Sequence, residues 1–72
     1  MRKRSVTIGG HPTSIRLEDE FWEELAALAG ARQLSVSALI REIDEKRGDS
    51  GNLASALRIY VLKTLKRKIS RV

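Results

Sequence analysis

Ser14 and Arg16 stand two residues apart in the stretch HPTSIRL, interleaved with Thr13, Ile15 and Leu17. Successive side chains of a β-strand point to opposite faces, so this spacing sets a hydroxyl and a guanidinium on one face and the more apolar set on the other. Such a face suits recognition of phosphates or base edges by charge and hydrogen bonding. Catalysis is a different matter: with one histidine, His11, and no cysteine, no nucleophile–base pairing can be drawn. The same inventory excludes a zinc site, and the acids lack calcium-loop spacing. The expectation is a binding protein without cofactor or metal, not an enzyme.

Charge distribution points the same way. The net charge is +5, from 14 basic and 9 acidic residues, and it is polarised along the chain. Residues 1–16 carry Arg2, Lys3, Arg4 and Arg16 with no acid, whereas residues 17–31 carry Glu18, Asp19, Glu20, Glu23 and Glu24 with no base. The end returns to Arg58, Lys63, Lys66, Arg67, Lys68 and Arg71, again without an acid. Two basic ends around an acidic middle suggest a polyanionic partner on one side. No apolar run follows Arg4 as a signal peptide would require, and nothing approaches the roughly 20 apolar residues that span a bilayer. A soluble, cytoplasmic protein is expected.

The elements that must position these residues are few. SVTI over residues 5–8 is β-branched and alternating, and Gly9-Gly10 follows it. Either residues 1–10 form the first strand of a hairpin, with Ile8 opposite His11, Val6 opposite Thr13 and Thr7 opposite Pro12, or they form a flexible basic arm. A first helix runs from Glu18 to about Arg32, with Phe21, Leu25 and Leu28 at helical spacing and Trp22, Ala26 and Ala29 widening the stripe. Ser35-Val36-Ser37 opens a second helix with Val36, Leu39, Ile40 and Ile43 inward, ending near Arg47 before the loop GDSGN. Asn52 caps a third helix reaching about Lys68, whose wide stripe of Leu53, Leu57, Tyr60, Val61 and Leu65, broadened by Ile59 and Leu62, suggests burial on two sides. The division is thus a basic arm or extra strand over 1–10, a core over 11–48 and an additional helix over 52–68.

A 72-residue chain is one domain, and a core of that size rarely supplies more than roughly 3–5 kcal/mol alone. Without disulfides or metal, association is the remaining staple. A lone strand over residues 13–17 leaves half its backbone groups unpaired; an identical strand across a two-fold axis would satisfy them. The resulting two-stranded ribbon fits the DNA major groove, with Ser14 and Arg16 outward in duplicate.

Residues 13–47 resemble the ribbon-helix-helix family of bacterial DNA-binding proteins, which includes the Arc and methionine repressors. The likeness lies in TSIRL, EDEFWEELAALAG and QLSVSALIREI; the opening KRSVTIGGHPTSIRL with the later SALIREID is similar to a small uncharacterised subgroup. The resemblance implies a mainly α fold with a short β-ribbon, an intertwined homodimer and an extra C-terminal helix. It places Ile15, Leu17, Phe21, Trp22, Leu25, Leu39, Ile40 and Ile43 in a shared dimer core. It also implies base contacts from Ser14 and Arg16, with Pro12 at the third position. Because proline has no side-chain hydrogen-bonding group, Thr7, Ser5 or the basic tail would complete the set, Arg2, Lys3 and Arg4 meeting phosphates. A further phosphate would sit on the second helix's N-terminus at Ser35, the Val36 amide and Ser37. Gln33 stands where the family commonly has glycine. Sequence-specific binding of double-stranded DNA and transcriptional regulation, as a repressor, are expected. Two alternatives stand beside it: an antitoxin or interaction module whose C-terminal helix binds a protein partner, and a binder of anionic membrane surfaces through KTLKRKISRV.

Overall fold

Gly9 and Gly10 adopt φ of 56° and 84° in the computed structural model, which describes residues 1–47 and 52–70. Two consecutive positive φ angles make a type I′ turn, whose twist matches that of the strands it joins; glycine reaches this conformation without steric cost. The turn closes a hairpin of β1 (Arg2–Ile8) and β2 (His11–Leu17), paired antiparallel from Ile8↔His11 through Arg2↔Leu17. Residues 1–10 therefore supply a strand and not a free arm. The premise that β2 has no partner in its own chain is corrected at the same time. One edge of β2 is satisfied by β1, and the pairing does not by itself require a second molecule.

Three helices follow: α1 (Asp19–Ala31), α2 (Val36–Arg47) and α3 (Leu53–Ser70). Asp19 and Glu20 occupy the first turn of α1, where the positive end of the helix dipole favours acids. The Glu18 carbonyl accepts from the Phe21 and Trp22 amides at 3.0 and 3.2 Å. Ser35 Oγ accepts the Ala38 amide at 3.1 Å, and Asn52 Oδ1 accepts the Ser55 amide at 3.2 Å, so both anticipated caps are made. Of the loop GDSGN, residues 48–51 lie outside the described residues.

Between α1 and α2 the Leu34 amide donates to the Ala29 carbonyl at 2.8 Å and the Gln33 amide to that of Gly30 at 3.0 Å. This is the Schellman pattern, and Gln33 sits at its left-handed position with φ 59°. A side chain there costs roughly 1–2 kcal/mol. Gln33→Gly is therefore expected to raise stability by about 1 kcal/mol, somewhat less than the strain because glycine also loosens the unfolded chain; the urea midpoint reads it. The Arg32 guanidinium clasps Glu42 with both nitrogens, Nη2 donating to Oε1 at 2.8 Å and Nη1 to Oε2, and joins the end of α1 to α2. These hydrogen bonds hold the Glu42 carboxyl below the usual glutamate range. Its contribution is present above the ordinary carboxylate pKa and lost as pH falls through the lowered one.

The core gathers Ile15 and Leu17 from β2, Trp22, Leu25, Leu28 and Ala29 from α1, Leu39, Ile40 and Ile43 from α2, and Leu57 and Val61 from α3. Leu57 is 0% exposed, so α3 is a wall of the core and not an appendage to a smaller motif. The residues expected at a dimer centre are already covered within one chain, Phe21 alone being half-buried. No described buried side-chain N or O lacks a hydrogen-bond partner.

Candidate nucleic-acid interface

The register decides which side chains share a face. Directly paired residues point the same way, so Arg2, Arg4, Val6 and Ile8 join Thr13, Ile15 and Leu17 on the helix side. Lys3, Ser5 and Thr7 join Arg16, Ser14 and Pro12 on the outer side, and all six are exposed. Thr7 lies opposite Pro12 and brings a hydroxyl to the position where proline has nothing to offer. Lys3 lies opposite Arg16. Two like charges directly across a ladder destabilise it, and among the described residues neither has an acidic partner.

Arg2 and Arg4 do not join this group. Arg4 stacks its guanidinium 5.3 Å from the centroid of the Trp22 ring, and Arg2 Nε lies 3.4 Å from Asp19 Oδ1. Trp22 Nε1 donates to the Arg2 carbonyl at 3.0 Å. The run RKR, read as one basic cluster in the sequence, is split by strand alternation: only Lys3 shares the face of Arg16, while its neighbours fasten β1 to α1.

Beside β2, an open cleft of about 680 Å³ is lined by Lys3, Thr13, Ser14, Ile15 and Arg16 from the hairpin, Arg47 from α2, and Asn52, Leu53, Ala54 and Arg58 near the start of α3. Four of these are cations. Ser35, Val36 and Ser37, expected to anchor phosphate, are not among the lining residues, whereas Asn52, Leu53 and Ala54 near the start of α3 are. Arg47 also pairs with Asp44 at 2.8 Å. Arg58 donates to Glu18 Oε1 at 3.1 Å and lies 5.9 Å from the Phe21 ring centroid. The Glu18 backbone amide first, and Arg58 second, hold the Glu18 carboxyl below its usual range. Arg47, Asn52 and Arg58 were not anticipated at this face, because α2 meets the hairpin at β1 and α3 meets it at β2 only through tertiary packing. No described helix is long and apolar enough to cross a membrane.

A two-stranded antiparallel ribbon with a polar outer face, laid over successive helices, defines a ribbon-helix-helix fold. The chain belongs to the ribbon-helix-helix domain family, whose model matches residues 1–65 and so takes in β1 and most of α3. Domains of this family are in general DNA-binding, regulatory or dimerisation folds. The chain is also similar to a solved structure, that of an uncharacterized protein from Bordetella pertussis Tohama I, with a TM-score of 0.81 and 30% identity. That likeness covers 99% of this chain and 61% of the other, so this chain spans about three-fifths of that protein's length. Comparison with curated proteins found no match.

Proposed function

We propose that the protein binds double-stranded DNA as a homodimer, reads sequence with the outer face of its β-ribbon, and regulates transcription. The observation that carries this reading is the Lys3–Arg16 pair: like charges opposed on an exposed ladder, neither of them in an ion pair among the described residues. Such a face is unfavourable until an anion arrives.

The turn geometry supports the dimer of this reading by fixing which backbone groups of β2 remain open. In a two-residue hairpin the closing pair, Ile8 and His11, exchanges both backbone bonds, so the pairs alternate from there. The backbone N–H and C=O of Ser14 and Arg16 then face away from β1, toward the edge of β2 that has no strand partner among the described residues. Pro12 faces the same edge without an N–H, which limits pairing to the Ser14–Arg16 end. An antiparallel β2 from a second copy, centred on Ile15, sets Ser14 of each copy against Arg16 of the other. Neighbouring strands lie about 4.8 Å apart, so the central two enter a groove about 12 Å wide. The outer strands bring Lys3 toward the flanking phosphates, which position the protein while base contacts specify.

The test is a titration of duplex affinity against salt. Log K is expected to fall linearly with log salt by about 0.9 per phosphate contacted. Lys3→Ala, which removes two contacts per dimer, should flatten the slope by about 1.8 and leave sequence preference unchanged. An affinity indifferent to salt would overturn the proposal.

A further inference from the structure

Apart from Met1, the large apolar side chains exposed among the described residues are Ile59, Leu62 and Ile69, at 49, 53 and 72%, and all three belong to α3. Leu62 and Ile69 are two turns apart on one face, with Leu65 between them. They continue a groove of about 280 Å³ lined by Phe21 of α1 and Arg58, Ile59, Val61, Leu62 and Leu65 of α3. A contiguous apolar surface of this kind marks a contact site.

The walls identify the occupant. α1 carries Asp19, Glu20, Glu23 and Glu24 and no base. Glu24 is one turn from Phe21, and Glu20 is one turn from Glu24, on the rim of the groove. α3 carries Arg58, Lys63, Lys66, Arg67 and Lys68 and no acid, with Lys66 one turn from Leu62. Asp19 and Glu23 face Arg2 and Arg4, and Lys63 faces α2. The charges flanking the groove are therefore Glu20 and Glu24 on the α1 side, an acidic wall, and Lys66 on the α3 side, a basic one, with Arg58 in the lining and held by Glu18. An anionic bilayer would be drawn to one wall and repelled by the other, and a partner of either single sign meets the same conflict. A surface with the same two walls, reversed, satisfies both, and the chain itself is such a surface. When two copies meet face to face, a two-fold axis along the groove lays the acidic wall of each on the basic wall of the other. An axis across the groove would lay like on like.

We infer that the α1–α3 groove is a self-docking surface in which two copies pair about an axis parallel to the helices, burying Leu62, Leu65 and Ile69 between them. It adjoins the cleft beside β2 at Arg58, which lines both, whereas Leu62 and Leu65 line only the groove.

The chain has no cysteine, which makes the test direct. Leu62→Cys and Ile69→Cys are introduced separately into the full chain, with Thr7→Cys on the ribbon face as control, and each is oxidised mildly. An axis along the groove brings each groove residue to its own copy, so both variants should give covalent dimers in good yield and the control should not. Sedimentation supplies the second readout: Glu24→Lys should weaken this association by about tenfold or more, a loss of about 1.4 kcal/mol, and adding Lys66→Glu in the same chain should restore it. Yields no higher than the control's, or no rescue by the second reversal, would overturn the inference. Loss of binding to phosphatidylserine vesicles by Leu62→Glu with no change in assembled mass would overturn it in favour of a membrane. Neither readout involves DNA, so the inference stands or falls apart from the proposed function.

Discussion

Leu57→Ala is expected to unfold a large share of the molecules at room temperature. Leu57 is completely buried, and α3 supplies it to a core shared with β2, α1 and α2. Truncating a buried leucine removes its transfer free energy and leaves a cavity, at a cost of about 2–5 kcal/mol. A core this small supplies only roughly 3–5 kcal/mol in total, so the loss is comparable to the whole. Lys63, on the same helix, is exposed and makes a fair control; its truncation should fall within about 0.5 kcal/mol, the usual range for surface positions. Urea unfolding followed by circular dichroism should give one cooperative transition, shifted far down by Leu57→Ala and little by Lys63→Ala. Were α3 merely appended to a ribbon and two helices, the Leu57 variant would lose helical signal in part and keep its main transition in place.

The second large effect concerns recognition. Arg16 stands on the outer face of β2, exposed, with no ion pair among the described residues and with Ser14 two positions away. A guanidinium bonded to both acceptors of a guanine discriminates against the wrong base by about 1–3 kcal/mol. Two copies in a dimer would double the count of such contacts. Arg16→Ala should therefore weaken the preferred duplex by about thirtyfold or more and narrow the gap between preferred and random sequence. Arg4→Ala is the informative contrast: its guanidinium lies over Trp22 on the helix side, so its removal should lower stability while leaving sequence preference intact. Electrophoretic shift with matched and scrambled duplexes separates the two outcomes.

Local chemistry was legible in the chain; the arrangement of distant parts was not. The hairpin register follows from Gly9-Gly10 and β alternation alone, and Ile8↔His11, Val6↔Thr13 and Thr7↔Pro12 are all paired as that turn dictates. The caps at Ser35 and Asn52 and the left-handed Gln33 are likewise decided within a few residues. Whether residues 1–10 fold back or hang free was open, because their conformation is settled by tertiary partners, among them Trp22 bonding to the Arg2 carbonyl twenty residues away. The same distance hid the division of Arg2 and Arg4 from Lys3: three adjacent cations look like one patch until a register assigns faces. The wide apolar stripe of α3 suggested burial on two sides, but packing within the chain buries Leu57 and Val61 in the core and leaves Ile59, Leu62 and Ile69 outside. The meeting of Arg47 and Arg58 with Arg16 around one cleft carries no sequence signal at all, since it depends on how α2 and α3 dock on the hairpin.

Selection of bound duplexes from a random pool, with the unaltered chain and the Arg16→Ala variant run in parallel, tests the role of the ribbon face most directly. The unaltered chain should enrich a short, two-fold-related sequence containing guanine, and the variant should retain salt-sensitive binding while losing the preference at those positions. Equal recovery of all sequences by both proteins, or an identical enriched site for both, would contradict it.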